Sequence, residues 1–129
     1  MIAVDTNVLA RYVVRDDETQ AKQAQRLIAT SDVFVGVTVV LELEWVLRSR
    51  YGYDRHRIVN AIRGIAGRSS VRVERARAVA QALDHAEQGM DLADAMHLAL
   101  RKDATGFATF DRAMIREAAA LGIPDVREP

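Results

Sequence analysis

Short apolar runs alternate with longer amphipathic segments along the whole chain, and this alternation limits the fold more than any other feature. Residues 2–4 read as a short buried strand that runs into Asp5, Thr6 and Asn7. DVFVG at residues 32–36 is a strand closed by glycine, residues 71–73 and 107–109 are further short strands, and PDVRE near the C-terminus is an edge strand. Segments of helical period lie between them. Asp5 or Thr6 caps a helix ending near Arg15, and residues 17–30 place Ala21, Ala24, Leu27 and Ile28 at helical spacing. Thr38 caps a helix over residues 39–51, and Asp54 caps another that reaches Ala66. Helices over residues 74–87, closed by Gly89, and over 91–102 and 112–121 follow. Strands alternating with helices give a mainly parallel central sheet of about four to five strands flanked by helices, a three-layer α/β fold in one domain.

Charge narrows the range of partners. The chain has 129 residues with 18 basic and 18 acidic side chains, so its net charge is zero. A nucleic-acid binder that relies on its overall field is basic. Any phosphate-bearing ligand must therefore be held by a local patch or by a bound cation. Cysteine is absent, which excludes disulfides and thiolate metal sites and fits a reducing compartment. No apolar run approaches the length of a membrane span, and the interrupted N-terminal segment does not read as a signal peptide. The expectation is a cytoplasmic protein with no membrane partner.

Most of the acids belong on solvated faces, among them Asp16, Asp17, Glu18, Glu74, Glu87 and Glu117. The others stand in apolar surroundings, where an ionised carboxylate is costly without a partner. Asp5 and Asp111 each sit where a strand ends and a helix begins, a place that suits a helix cap as well as a ligand. Glu42 and Glu44 flank a helix face formed by Val39, Leu43, Val46 and Leu47, and periodicity does not choose between them. Asp91 and Asp94 share one side of a first helical turn. A cap explains Asp91, whereas Asp94 faces inward one turn before Leu98. Carboxylates brought to one edge of a parallel sheet repel and raise one another's pKa values. A hard divalent cation with oxygen ligands relieves that repulsion. His56, His85 and His97 form no ligand pair, and there is neither a nucleophile elbow nor a phosphate-binding glycine loop.

AVDTNVLARYVV, VVLELEWVLRSRYG, MDLADAMHLAL and FATFDRAM, in this order and spacing, resemble the PIN-domain nucleases. More narrowly, they are similar to the VapC-type toxins of prokaryotic type II toxin–antitoxin modules. The resemblance spans essentially the whole chain. It implies a PIN-like fold with an acidic pocket that binds Mg²⁺ or Mn²⁺ and cuts RNA. Carried over position by position, the acids of that pocket are Asp5, Glu42, Asp94 and Asp111, with Glu42 taken over Glu44. Asp91 matches an additional acid often present. Thr6 and Asn7 match polar residues that orient the first carboxylate or its water. A further acidic or amide residue often follows the last aspartate in this family, but Arg112, Ala113 and Met114 supply none.

The implied chemistry is hydrolysis of an RNA phosphodiester assisted by a metal. Arg11, Arg15, Arg48, Arg50 and Arg112 are the candidate RNA contacts. The implied partners are a second copy of the chain, as a homodimer, and a VapB-like antitoxin laid along a groove near the acids. The segments over residues 17–30 and 39–51 carry the apolar side chains for these contacts. Two rivals remain. A non-catalytic PIN-like binding module would lose acids, yet all four are here. A phosphatase or receiver domain wants Asp-x-Asp after the first strand, where Asn7 stands instead.

Overall fold

In the computed structural model, which describes all 129 residues, every paired strand runs parallel to its neighbour. The chain divides into two units, Met1–Ala76 and Arg77–Pro129.

The first unit contains β1 (Ile2–Ala3), α1 (Thr6–Val14), α2 (Glu18–Thr30), β2 (Val33–Val35), α3 (Val37–Ser49), α4 (Arg55–Ala66) and β3 (Val71–Val73). Its sheet has the order β1-β2-β3, with Ile2 beside Val33 and Val33 beside Val71. The central strand is the apolar one: Val33 and Val35 are buried with Leu9, Ile28, Val40, Leu43, Leu47 and Ile62. The N-terminal strand departs from expectation. Ile2 and Ala3 are exposed, and only Val4, the residue that follows, is covered. An outer strand of two residues with one neighbour in its sheet has little to hide behind.

Local capping sets most helix starts. Asp17 accepts the Gln20 N–H at 3.0 Å, and Ala21, Ala24 and Ile28 then bury one stripe of α2. Asp54 accepts the Arg57 N–H at 2.8 Å and opens α4, which buries Ile58, Val59, Ile62 and Ile65. In α3 the outcome differs from the expectation. The helix begins at Val37, after Gly36, so Thr38 is not its cap. The Val37 N–H donates instead to Glu74 Oε1 at 2.9 Å, from just beyond β3. The buried face holds Val40 with Leu43, Val46 and Leu47, whereas Val39, expected there, is only half-buried.

The second unit carries α5 (Ala76–Glu87, from the last residue of the first unit), α6 (Leu92–Ala99), β4 (Phe107–Ala108), α7 (Arg112–Ala120) and β5 (Val126–Arg127). Val79, Leu83, Met90, Leu92, Met96, Leu98 and Met114 are its buried large side chains. The C-terminal strand pairs with β4, Phe107 beside Val126. The five expected strands are all present, but they are hydrogen-bonded as three and two. α6 stops at Ala99, short of the expected end at Lys102. There the Arg101 N–H turns to the Leu98 carbonyl and Lys102 takes a left-handed backbone, φ 54°. No helix is long and apolar enough to cross a membrane.

Candidate active site

In the first unit most of the candidate residues lie where β1 passes into α1. Asp5 is the N-cap of α1 and accepts the Val8 N–H at 3.3 Å, so one of its oxygens is spent on the helix. Thr6 is the one buried polar residue of the chain. Its hydroxyl donates to Glu42 Oε1 on α3. That bond ties the junction to the α3 carboxylate, because a buried hydroxyl must find an acceptor. The two glutamates of α3 are thereby separated. Glu42 is fixed from another element, while Glu44 pairs with Arg48 at 2.8 Å one turn along its own helix. Asn7 is exposed and lines a groove of about 320 Å³ between α1 and α2, with Val8, Gln23 and Leu27.

The arginines picked from the sequence fall into different situations. Arg11 is committed to structure: it binds Asp16 at 2.9 Å, Gln20 at 2.7 Å and the Tyr51 hydroxyl at 3.3 Å. Asp16 raises the Arg11 pKa above its ordinary value. The hydrogen bond from Tyr51, with help from Arg11, lowers that of Asp16. Arg15 ends α1 in the left-handed region, φ 61°, and reaches Gln25 at 3.2 Å. Arg48 is engaged with Glu44, and Arg112 meets Glu128 at 3.3 Å. Arg50 is exposed.

The acids of the second unit form a set of their own. Asp91 caps α6, accepting the Asp94 N–H at 3.0 Å, and Asp111 caps α7, accepting the Met114 N–H at 3.1 Å. Capping therefore accounts for the placement of both, as it does for Asp5. Asp94 has no such explanation. It is half-buried in the first turn of α6. Burial raises its pKa above the ordinary carboxylate value, the negative charges of Asp91 and Asp111 add to this, and His97 acts the other way. No Lys or Arg pairs with any of the three. Like charges sit around a partly desolvated carboxylate that lacks a counter-charge.

Neither unit gathers three His, Asp or Glu side chains as a ready-made metal cage. The donor set still suits Mg²⁺. That ion keeps several waters and is held by one or two carboxylates together with substrate phosphates. Two features escaped the sequence reading. Glu74 is exposed, as expected, but its carboxylate also accepts the Val37 N–H at the start of α3, and no local signal could reveal a partner in another element. Phe110, just before Asp111, is 83% exposed, which its place beside a strand did not announce.

The PIN domain family model matches residues 2–121, and the chain belongs to that family. It therefore carries a nuclease-like module, a hydrolase fold acting on nucleic acid. No curated protein and no solved structure matches the chain.

Proposed function

We propose that the protein is a divalent-metal-dependent endoribonuclease of the VapC toxin type. In this reading Asp5, Glu42, Asp94 and Asp111 are its catalytic acids. The observation that carries it is Asp94, a half-buried carboxylate with Asp91 and Asp111 raising its proton affinity and no basic residue paired with it. Such a site favours a cation. Asp94 and Asp111 would hold Mg²⁺ or Mn²⁺, with Asp91 beside them. When bound, the cation supplies neutralisation of the scissile phosphate and acidification of an attacking water. The chain's own part is positional. Backbone N–H groups of α6 and α7 each fix one oxygen of Asp91 and Asp111, leaving the other to face solvent or ligand. The Thr6 hydroxyl fixes the Glu42 carboxylate in the same manner.

A nuclease of this type needs restraint, so a VapB-like antitoxin and a cytoplasmic setting belong to the reading. The groove beside Asn7, Gln23 and Leu27, together with Trp45 at 50% exposure on α3, supports contact with a partner. A homodimer is expected, and light scattering that finds monomer throughout the micromolar range counts against it.

The test of the activity is direct. Purified, partner-free protein is incubated with structured RNAs in Mg²⁺, Mn²⁺ or EDTA, beside Asp94→Asn. Cleavage that needs metal and vanishes in the variant supports the reading. Cleavage by Asp94→Asn at the parental rate rejects the assignment, and the absence of cleavage in either metal favours a non-catalytic binding module.

A further inference from the structure

Charge is unevenly placed along this neutral chain. Residues 50–76 hold seven arginines against two acids, Asp54 and Glu74, a net +5, so the remaining residues carry a net −5. The two acids do little to offset the arginines. Asp54 is turned to the N-terminus of α4 and Glu74 to that of α3, where each accepts a backbone N–H. Their charge is already matched by helix dipoles.

Arg68, Arg72 and Arg75 are all exposed, and none of them forms an ion pair. Arg72 is the middle residue of β3, an outer strand of its sheet, while Arg68 lies just before that strand and Arg75 just after it. Val71 and Val73 are half-buried while Arg72 between them faces out. α4 packs on this strand. Before α4 begins, Tyr53 lies under the Arg57 guanidinium, 3.7 Å from ring centre to cation. Planar guanidinium groups present paired donors that match phosphate oxygens, and an aromatic–guanidinium stack presents a flat surface for bases.

We propose that this edge is a track for the backbone of single-stranded RNA, with Arg68, Arg72 and Arg75 on successive phosphates and the Tyr53–Arg57 pair as a stacking surface. The identity of the polyanion rests on the nuclease reading. An anionic membrane is the weaker choice. Surface-bound helices keep an apolar face for the bilayer, whereas Ile58, Val59, Ile62 and Ile65 of α4 are all buried.

The experiment measures binding apart from cleavage. Anisotropy of a fluorescein-labelled RNA of mixed sequence is followed in EDTA across a salt series. The variants are Arg68→Gln/Arg72→Gln/Arg75→Gln, the same triple to Lys, and a control triple Lys22→Gln/Arg26→Gln/Arg116→Gln of equal charge change. Each phosphate contact on a single strand contributes about 0.7 to the slope of log K against log salt, so losing three lowers it by about 2. The glutamine triple should also bind 10- to 100-fold more weakly at low salt, on the order expected for three lost phosphate contacts. The lysine triple should keep most of the slope, and the control should behave as the parent does. Fluorescence of Trp45 and circular dichroism report that all variants are folded.

A glutamine triple with the parental slope overturns the track, as does a control that loses as much. A parent that binds phosphatidylserine vesicles but not RNA overturns it too. The two readings fail separately. A parent that binds RNA through these arginines yet never cuts with Mg²⁺ or Mn²⁺ sinks the nuclease and keeps the track. Parental cleavage with unchanged binding by the triple does the reverse.

Discussion

The bond between Thr6 and Glu42 can be weighed by a double-mutant cycle. Thr6 is buried, and Glu42 is exposed. Thr6→Val keeps the shape and removes the donor. A hydrogen bond to a charged group is worth roughly 1.5–3 kcal/mol, and an exposed carboxylate regains water, which favours the low end. The added buried methyl returns up to about 0.8 kcal/mol. The net loss for Thr6→Val is therefore about 0.5–1 kcal/mol. Glu42→Ala strands the buried hydroxyl without its acceptor, at a cost of about 1–3 kcal/mol. The better helix propensity of Ala returns a few tenths of a kcal/mol. With the hydroxyl already gone, truncating Glu42 should cost little, so the coupling energy is about 1–2 kcal/mol. Trp45, the only tryptophan, lies on α3 three residues from Glu42, and its fluorescence in a urea titration reports this unit. Coupling below about 0.3 kcal/mol would show that the bond does not hold Glu42 in solution, because independent sites add within that margin.

The shift of Asp94 fixes a pH dependence. Its folded pKa lies above the unfolded value, so the folded state binds more protons between the two and loses stability as pH rises through that window. The cost is absent below the unfolded pKa and fully present above the folded one. Asp94→Asn should therefore melt higher than the parent at pH 7 in EDTA and match it near pH 3, and it should lose the metal-dependent rise in melting temperature. Equal melting curves at pH 7, with metal response kept, would leave Asp94 as an ordinary first-turn acid. For Asp111 the cap and the charge can be parted. Asp111→Asn should stay within about 0.5 kcal/mol of the parent and Asp111→Ala should lose about 1 kcal/mol, while both lose RNA cleavage. Arg15 ends α1 at φ 61°, and relief of that left-handed backbone should let Arg15→Gly gain about 0.5 kcal/mol in urea unfolding.

Features that depend on near neighbours were legible in the chain's order of residues. Asp5, Asp17, Asp54, Asp91 and Asp111 each cap a helix through an N–H three residues on, so the reach of one side chain was enough to place these starts. The stripe Ala21, Ala24, Ile28 follows from helical period alone. The candidate acids stood out as charges within apolar stretches of sequence, yet Asp5, Glu42, Asp91 and Asp111 are exposed and only Asp94 is half-buried. Features of long sequence separation were set by packing. Glu74 reaches the start of α3 across 37 residues, and Thr6 takes Glu42 as its acceptor across 36. The exposure of β1, the hydrogen bonding of five strands as three and two, and the absorption of Arg11 by Asp16 and Tyr51 are of the same kind. Periodicity records which residues share a face. Which partner arrives at that face, and which oxygen satisfies a buried donor, is fixed only when distant segments pack.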